Sequence, residues 1–190
     1  MNDFRRDDKW QRQMRDEYLV PFYRRSYSGF LLLDDGRFSR QQQEGGIDTL
    51  LWRADRIPIS VEEKIVRCRP RRDPYDAISL ETDSCTAPGF MRSGWMWYAR
   101  CDVLLYCLHQ RDGSLDCLWI DFPKLHEWFW PRVKEFAPTR MDDTINKTEC
   151  RVVPIEVITA AVQVNRFRLS RERTVVSWPS ALGADDLIFA

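Results

Sequence analysis

The sequence predicts a single α/β domain, on three observations. Near the N-terminus apolar side chains recur at helical spacing, at Trp10, Met14, Tyr18 and Phe22. At 57–68 the period shortens to two: Ile59, Val61, Glu63 and Ile65 share one side of a strand, and Ser60, Glu62, Lys64 and Val66 share the other. Two apolar runs, 97–108 and 114–120, bracket Arg111-Asp112-Gly113, which is the pattern of a hairpin. A chain of 190 residues fits one core, and its 44% hydrophobic content, with 8 Trp, 10 Phe and 6 Tyr, supplies the apolar surface to build it.

The elements follow in order. Residues 3–27 read as an amphipathic helix disturbed at Pro21, and 28–34, with Leu31, Leu32 and Leu33, as either a buried strand or the end of that helix. Gly45-Gly46 breaks the chain before a strand over 47–53, which turns near Asp55-Arg56 into the alternating strand 57–68. A third strand, 76–81, follows the turn-prone Arg71-Arg72-Asp73-Pro74. After the hairpin, Asp121 is placed to cap a helix with Pro123 in its first turn and Leu125, Trp128, Phe129 and Val133 along its apolar side. Residues 152–164 are apolar, with Pro154 at a helix start, and 166–190 is a weakly patterned tail with a strand-like run at 174–178. The expected organisation is one domain over 1–165 and a C-terminal extension over 166–190 packed on it.

Lys plus Arg and Asp plus Glu each number 29, so no bulk positive field draws the protein to nucleic acid, and any such surface must be local. The candidate patch is Arg67, Arg69, Arg71 and Arg72, which could equally be a solvated strand end and loop. Trp95, with Trp97 and Tyr98 beside it, offers aromatic faces that either stack on unpaired bases or fill a core. No leader-like apolar segment opens the chain and no run approaches a membrane span, so a cytoplasmic protein without membrane contact is expected. Six cysteines, at 68, 85, 101, 107, 117 and 150, are then expected to stay thiols. Neither a CxxC pair nor neighbouring histidines argues for zinc, and His109 and His126 read as structural.

The residues that carry chemistry are Asp48, Glu62 and Lys64. Glu62 and Lys64 are two apart on a strand and so project from one face. Asp48 lies fourteen residues earlier, the length needed to run along one strand, turn and return antiparallel beside Glu62. Two carboxylates so placed form a hard-oxygen site suited to Mg²⁺, which uses one or two protein carboxylates together with substrate phosphate. A lysine on the same face can orient a water or stabilise charge on a phosphorane. The competing structural reading is a charged strand edge at Glu62-Glu63-Lys64 and a turn acid at Asp48.

Gly46-Ile47-Asp48-Thr49-Leu50 followed by Ile59-Ser60-Val61-Glu62-Glu63-Lys64 resembles the PD-(D/E)xK nuclease superfamily, with Ile47 where the motif's proline would stand. The resemblance covers about residues 44–110, with the N-terminal helix as first element, the strand at 76–81, then Gly94-Trp95 and Asp102-Val103-Leu104-Leu105-Tyr106, in the order of phage- and bacterium-borne members. It implies a restriction-endonuclease-like fold, a central mixed β-sheet flanked by helices. It also implies a Mg²⁺- or Mn²⁺-dependent endonuclease acting on DNA. Asp48 and Glu62 would bind metal with the Glu63 carbonyl assisting, Lys64 would be the catalytic lysine, and Glu17 would match the accessory acid of some members. The alternative is a catalytically silent nuclease-like module that binds protein or nucleic acid in repair or phage–host conflict. A homodimer is expected of an enzyme that cuts two strands. The segment 185–189, acidic at Asp185 and Asp186 and apolar through Leu187, Ile188 and Phe189, can dock on a partner protein, although the favoured reading is a final strand or frayed tail.

Overall fold

A computed structural model describes residues 4–33, 46–52, 57–67, 76–87, 90–142 and 147–171. The N-terminal helix forms in two parts, α1 (Phe4–Met14) and α2 (Val20–Ser26), joined without a break by a π-helical segment at Arg15–Leu19. The cause lies one turn ahead: Pro21 has no N–H for the carbonyl four residues back, and its ring crowds that turn, so the ladder slips to a wider spacing before the proline. The disturbance expected at Pro21 is thus absorbed N-terminal to it.

Strands β1 (Gly29–Leu32), β2 (Thr49–Trp52) and β3 (Ile59–Arg67) run as an antiparallel meander, with Leu31 opposite Leu50 and Thr49 opposite Val61. Within the ambiguous 28–34 segment, Gly29–Leu32 is therefore a strand. β4 (Ala77–Ala87) and β5 (Phe90–Ser93) leave this sheet, and one helical turn, α3 (Trp95–Tyr98), leads back to β6 (Val103–His109). β6 lies parallel to β3, Glu62 beside Leu104 and Lys64 beside Tyr106. β7 (Leu115–Asp121) returns antiparallel through a turn in which Gly113 takes φ of 82°, conformational space open to glycine. The expected strand over 97–108 is thus a helical turn followed by a shorter strand.

Asp121 caps α4 (Phe122–Phe129), accepting from the Lys124 N–H at 3.1 Å, and a 3₁₀ turn (Trp130–Glu135) extends that helix. β8 (Pro138–Asp142) and β9 (Lys147–Pro154) follow, then α5 (Ile155–Ala161) begins directly after Pro154 and leads to β10 (Val164–Leu169). β10 pairs with β7 from Val164 to Leu169, so the boundary expected at 165 falls inside a strand of the main sheet. The run at 174–178 and the segment 185–189 lie outside the described residues.

The result is a mixed α/β domain in which a central six-stranded sheet, β1-β2-β3-β6-β7-β10, is covered on both faces. On one face the helix packs Met14, Tyr18, Leu19, Phe22 and Tyr23 against Leu51, Val61, Leu105, Cys107, Trp119 and Phe167. Its other face packs Leu104, Tyr106, Leu118 and Ile120 against α4, α5 and a second, antiparallel sheet, β5-β4-β9-β8, to which Ile78, Leu80 and Val153 contribute. The third strand expected from sequence therefore belongs to a separate sheet above the first. Among the described residues no helix is long and apolar enough to cross a membrane. Cys101, Cys107, Cys117 and Cys150 are buried free thiols, with the Cys107 and Cys117 sulfurs 3.4 Å apart across β6 and β7.

Phe22 is fully buried and stacks on Phe167 of β10 with ring centroids 5.0 Å apart, so it joins the first helix to the last described strand. Phe22→Ala is expected to cost about 3–5 kcal/mol, the usual loss for a deleted core aromatic, read from the urea midpoint with an unchanged slope.

Candidate functional site

The site is built on β3, where three consecutive charged residues meet two different environments. Alternation turns Glu63 toward the helix-covered face with Val61 and Ile65, and turns Glu62 and Lys64 toward the face covered by the second sheet. Glu63 is buried and fully engaged: Arg15 Nε donates to its Oε2 at 2.6 Å, and the hydroxyls of Tyr23 and Thr49 donate to its Oε1 at 2.8 and 2.6 Å. Burial and the nearby Asp48 push its pKa up, while Arg15, Thr49 and Tyr23 oppose that rise. Burial and the adjoining Glu63 carboxylate together raise the Tyr23 phenol well above its ordinary value.

Asp48 lies at the entrance of β2, fixed by three main-chain links. Its N–H donates to Val61 O at 2.9 Å, its carbonyl accepts from Leu33 N at 2.8 Å, and its Oδ2 accepts from Glu63 N at 2.7 Å. The last bond replaces a rung of the β2–β3 ladder with a side chain, which brings the carboxylate to the edge of β3 beside Glu62. The chain reaches this position through Gly46, whose φ of 62° is left-handed and whose missing side chain leaves room for Ala99. A Cβ at residue 46 would lie 2.7 Å from that of Ala99 and 3.6 Å from Glu62 Oε2.

Glu62 is buried and paired with Lys64, whose ammonium donates to Glu62 Oε1. Burial drives the Glu62 pKa up to about 7, with Lys64 pulling it down and the Asp48 carboxylate, within hydrogen-bonding reach, pushing it up again. For Lys64, burial favours the neutral amine, but Glu62, Asp48 and Glu81 together outweigh it and hold the ammonium charged, above its ordinary value. The Trp95 ring lies 5.2 Å from that ammonium, an added cation–π contact. The cluster thus has three carboxyl groups around one cation, an excess of negative charge that a proton on Glu62 or a further cation reduces.

Asp48, Glu62 and Lys64, predicted from spacing, therefore converge. Glu17 does not join them: it lies on the helix over the opposite face of the sheet, bonded to Gln13 at 2.7 Å and paired with Arg171 at 2.7 Å. Arg67 is exposed at the far end of β3 with its guanidinium 4.3 Å from the Trp10 ring, whereas Arg69, Arg71 and Arg72 lie outside the described residues. Trp95, expected to contact nucleic acid, is buried at 6% exposure and packs on Phe122 and Lys64, so it supports the lysine from within. His109 packs edge-on against Trp10, and His126 accepts the Trp130 indole N–H at 2.8 Å.

Sequence reasoning missed Glu81, Arg15, Tyr23 and Thr49. Glu81 comes from β4 in the other sheet. Its carboxyl is shifted up by burial and drawn back by Lys64 and Ser84, and close packing of Gly94 on its main chain holds it in place. No local pattern marks it. Arg15 carried a usable signal, since it shares the apolar stripe of Tyr18, Leu19 and Phe22, and a cation on such a stripe asks for a buried partner.

Among the described residues no group of three or more His, Cys, Asp and Glu side chains is arranged to hold a metal ion. The Asp48–Glu62 pair is a hard-oxygen donor set in a pocket of excess negative charge, and that chemistry fits a divalent cation of the Mg²⁺ class. A strand residue directs its N–H and C=O toward the same edge, so with Glu63 N bonded to Asp48, the Glu63 carbonyl faces that edge as well.

Two outcomes are expected. Glu63→Ala removes the buried carboxylate to which Arg15, Tyr23 and Thr49 all donate, which should cost on the order of 3–5 kcal/mol in chemical denaturation, and the paired change Arg15→Met with Glu63→Leu should recover most of it. Glu62 keeps in the folded state a proton that the unfolded chain releases near pH 4.5. Its contribution is then complete below pH 4.5 and lost as pH rises to about 7, a decline on the order of 3 kcal/mol that Glu62→Gln should flatten. Comparison with known proteins finds no matching family model, no matching curated protein and no matching solved structure.

Proposed function

We propose that this chain is a Mg²⁺- or Mn²⁺-dependent endonuclease of the PD-(D/E)xK type that hydrolyses phosphodiester bonds in DNA. The observation that carries this reading is the meeting of the Asp48 and Glu62 carboxylates with the Lys64 ammonium on one face of β3, beside the point where β2 begins. The mixed sheet behind an N-terminal helix is consistent with the restriction-endonuclease-like arrangement that the motif implies.

Asp48, Glu62 and the Glu63 carbonyl are the groups that would hold the ion, which when bound supplies Lewis acidity to the phosphate and a water of lowered pKa. The chain's own residues do the rest. Lys64, kept charged by three carboxylates, can orient a water or stabilise negative charge on the phosphoryl oxygens. Glu62 must shed its proton to act as a ligand, so metal binding is expected to strengthen as pH rises toward about 7, where the metal-free carboxyl titrates. Asp48 is held rigid through the Glu63 N–H, which fixes the spacing of the two carboxylates.

The deciding assay incubates the full chain with plasmid, linear, branched and single-stranded DNA and with RNA, in Mg²⁺, Mn²⁺ or EDTA. Wild type should cut DNA only with metal, Asp48→Ala should fall to background, and Lys64→Ala should lose about 100-fold or more in rate. Equal cutting by the variants would remove the site assignment. Binding of nucleic acid or protein without any cutting would favour the silent module in its place.

A further inference from the structure

The single turn α3 divides its side chains between two environments. Trp95 and Met96 are buried, whereas Trp97 and Tyr98 remain 50% and 41% exposed. Lone exposed aromatics need no explanation, but these two are adjacent and Trp97 belongs to a fixed assembly. Trp97 lies against Trp130 with ring centroids 3.8 Å apart, and Trp130 is itself anchored by its bond to His126. Arg100, exposed at the end of the turn, donates to the carbonyls of Trp97 at 3.3 Å and Ala99 at 2.9 Å, which holds its guanidinium against the main chain of the turn.

This assembly is continuous with the acid and lysine cluster. Trp95, two residues before Trp97, sits over Lys64, and Ala99, just after Tyr98, packs where Gly46 leaves room next to Glu62. The Tyr98 phenol is half-buried and within the electrostatic reach of Lys64, Glu81, Glu62 and Asp48, at the rim of the pocket. A Trp97 ring fixed against Trp130, with the exposed Tyr98 ring and the Arg100 guanidinium on the same turn next to the proposed phosphodiester-cleaving centre, matches an unpaired nucleobase with its phosphate. In a duplex those base faces are covered by their neighbours.

We infer that Trp97 and Tyr98 form a shelf on which an unpaired base stacks, with Arg100 at its phosphate, so that the substrate is single-stranded DNA or the single-stranded part of a branched DNA. As a statement about substrate it rests on the nuclease reading of the site, but the stacking itself is measurable without cleavage.

The test uses the full chain carrying Asp48→Ala, in EDTA, with fluorescein-labelled oligothymidylate and a duplex of equal length, followed by fluorescence anisotropy. The single strand should bind more tightly than the duplex. Trp97→Leu and Tyr98→Leu, each checked for an unchanged melting curve, should weaken single-strand binding about tenfold, and Trp97→Phe and Tyr98→Phe should retain most of it. Equal binding of duplex and single strand, or single-strand binding unaffected by both leucine variants, overturns the shelf, and the nuclease reading still stands if the wild type cuts DNA in an Asp48-dependent way. Ring-dependent binding of the single strand with no nucleic acid cut upholds the shelf and removes the nuclease reading. Preference for oligouridylate over oligothymidylate overturns the assignment to DNA.

Discussion

Glu63 is a carboxylate enclosed by the helix and the sheet, and β3 can hold its register only while Arg15, Tyr23 and Thr49 satisfy it. A strand has no freedom to turn one residue without turning its neighbours, so fixing Glu63 on the helix face commits Glu62 and Lys64 to the other. Slipping the strand by one residue would turn Glu62 and Lys64 under the helix and carry Val61, Ile65 and the Glu63 carboxylate to the face under the second sheet, away from Arg15, Tyr23 and Thr49. The cost of an unpaired buried charge makes that alternative prohibitive. Glu63 thus acts as a register pin for the site, and its own side chain is spent on structure.

The position of β3 in the sheet sets what surrounds the other two charges. Its parallel neighbour β6 requires a long crossover, and the chain uses that crossover to build α3 and two strands of the second sheet, β4 and β5. Glu81 and Trp95 arrive by this route to flank Lys64, one as a charge and the other as a ring. Local tightness keeps them there: Gly94 donates to Thr82 O at 2.9 Å, and a Cβ on Gly94 would fall 2.5 Å from Glu81 O. The same crossover also leaves Trp97 and Tyr98 exposed, two and three residues beyond Trp95.

What was legible in the sequence depended on range. The alternation of β3 gave away the face shared by Glu62 and Lys64, and a hairpin of the right length brought Asp48 to them, because both signals are local. Asp121 before Pro123 announced the start of α4 for the same reason. The second sheet was illegible, since its central pairing joins Ala77 to Pro154 across the rest of the fold. Trp97 and Tyr98 read as strand residues because aromatics favour strands, and tertiary packing of Gly94 on β4 overrode that preference. Glu17 failed as an accessory acid because a charged residue on a helix matches a motif by position alone, while the sheet between it and Lys64 is invisible in one dimension.

The π-helical segment at Arg15–Leu19 has a further consequence for Glu63. In an unbroken α-helix, residues eight apart diverge by about 80° around the axis, so Arg15 and Tyr23 would point to different parts of the sheet. Accommodating one extra residue in the widened turn removes roughly 100° of rotation and brings the two directions to within about 20° of each other. A guanidinium and a phenol from successive halves of the helix can then close on one carboxylate, at 2.6 and 2.8 Å. The proline that disrupts the hydrogen-bond ladder thereby acts as a phase adjuster, and the irregular turn keeps two distant letters of the sequence in step.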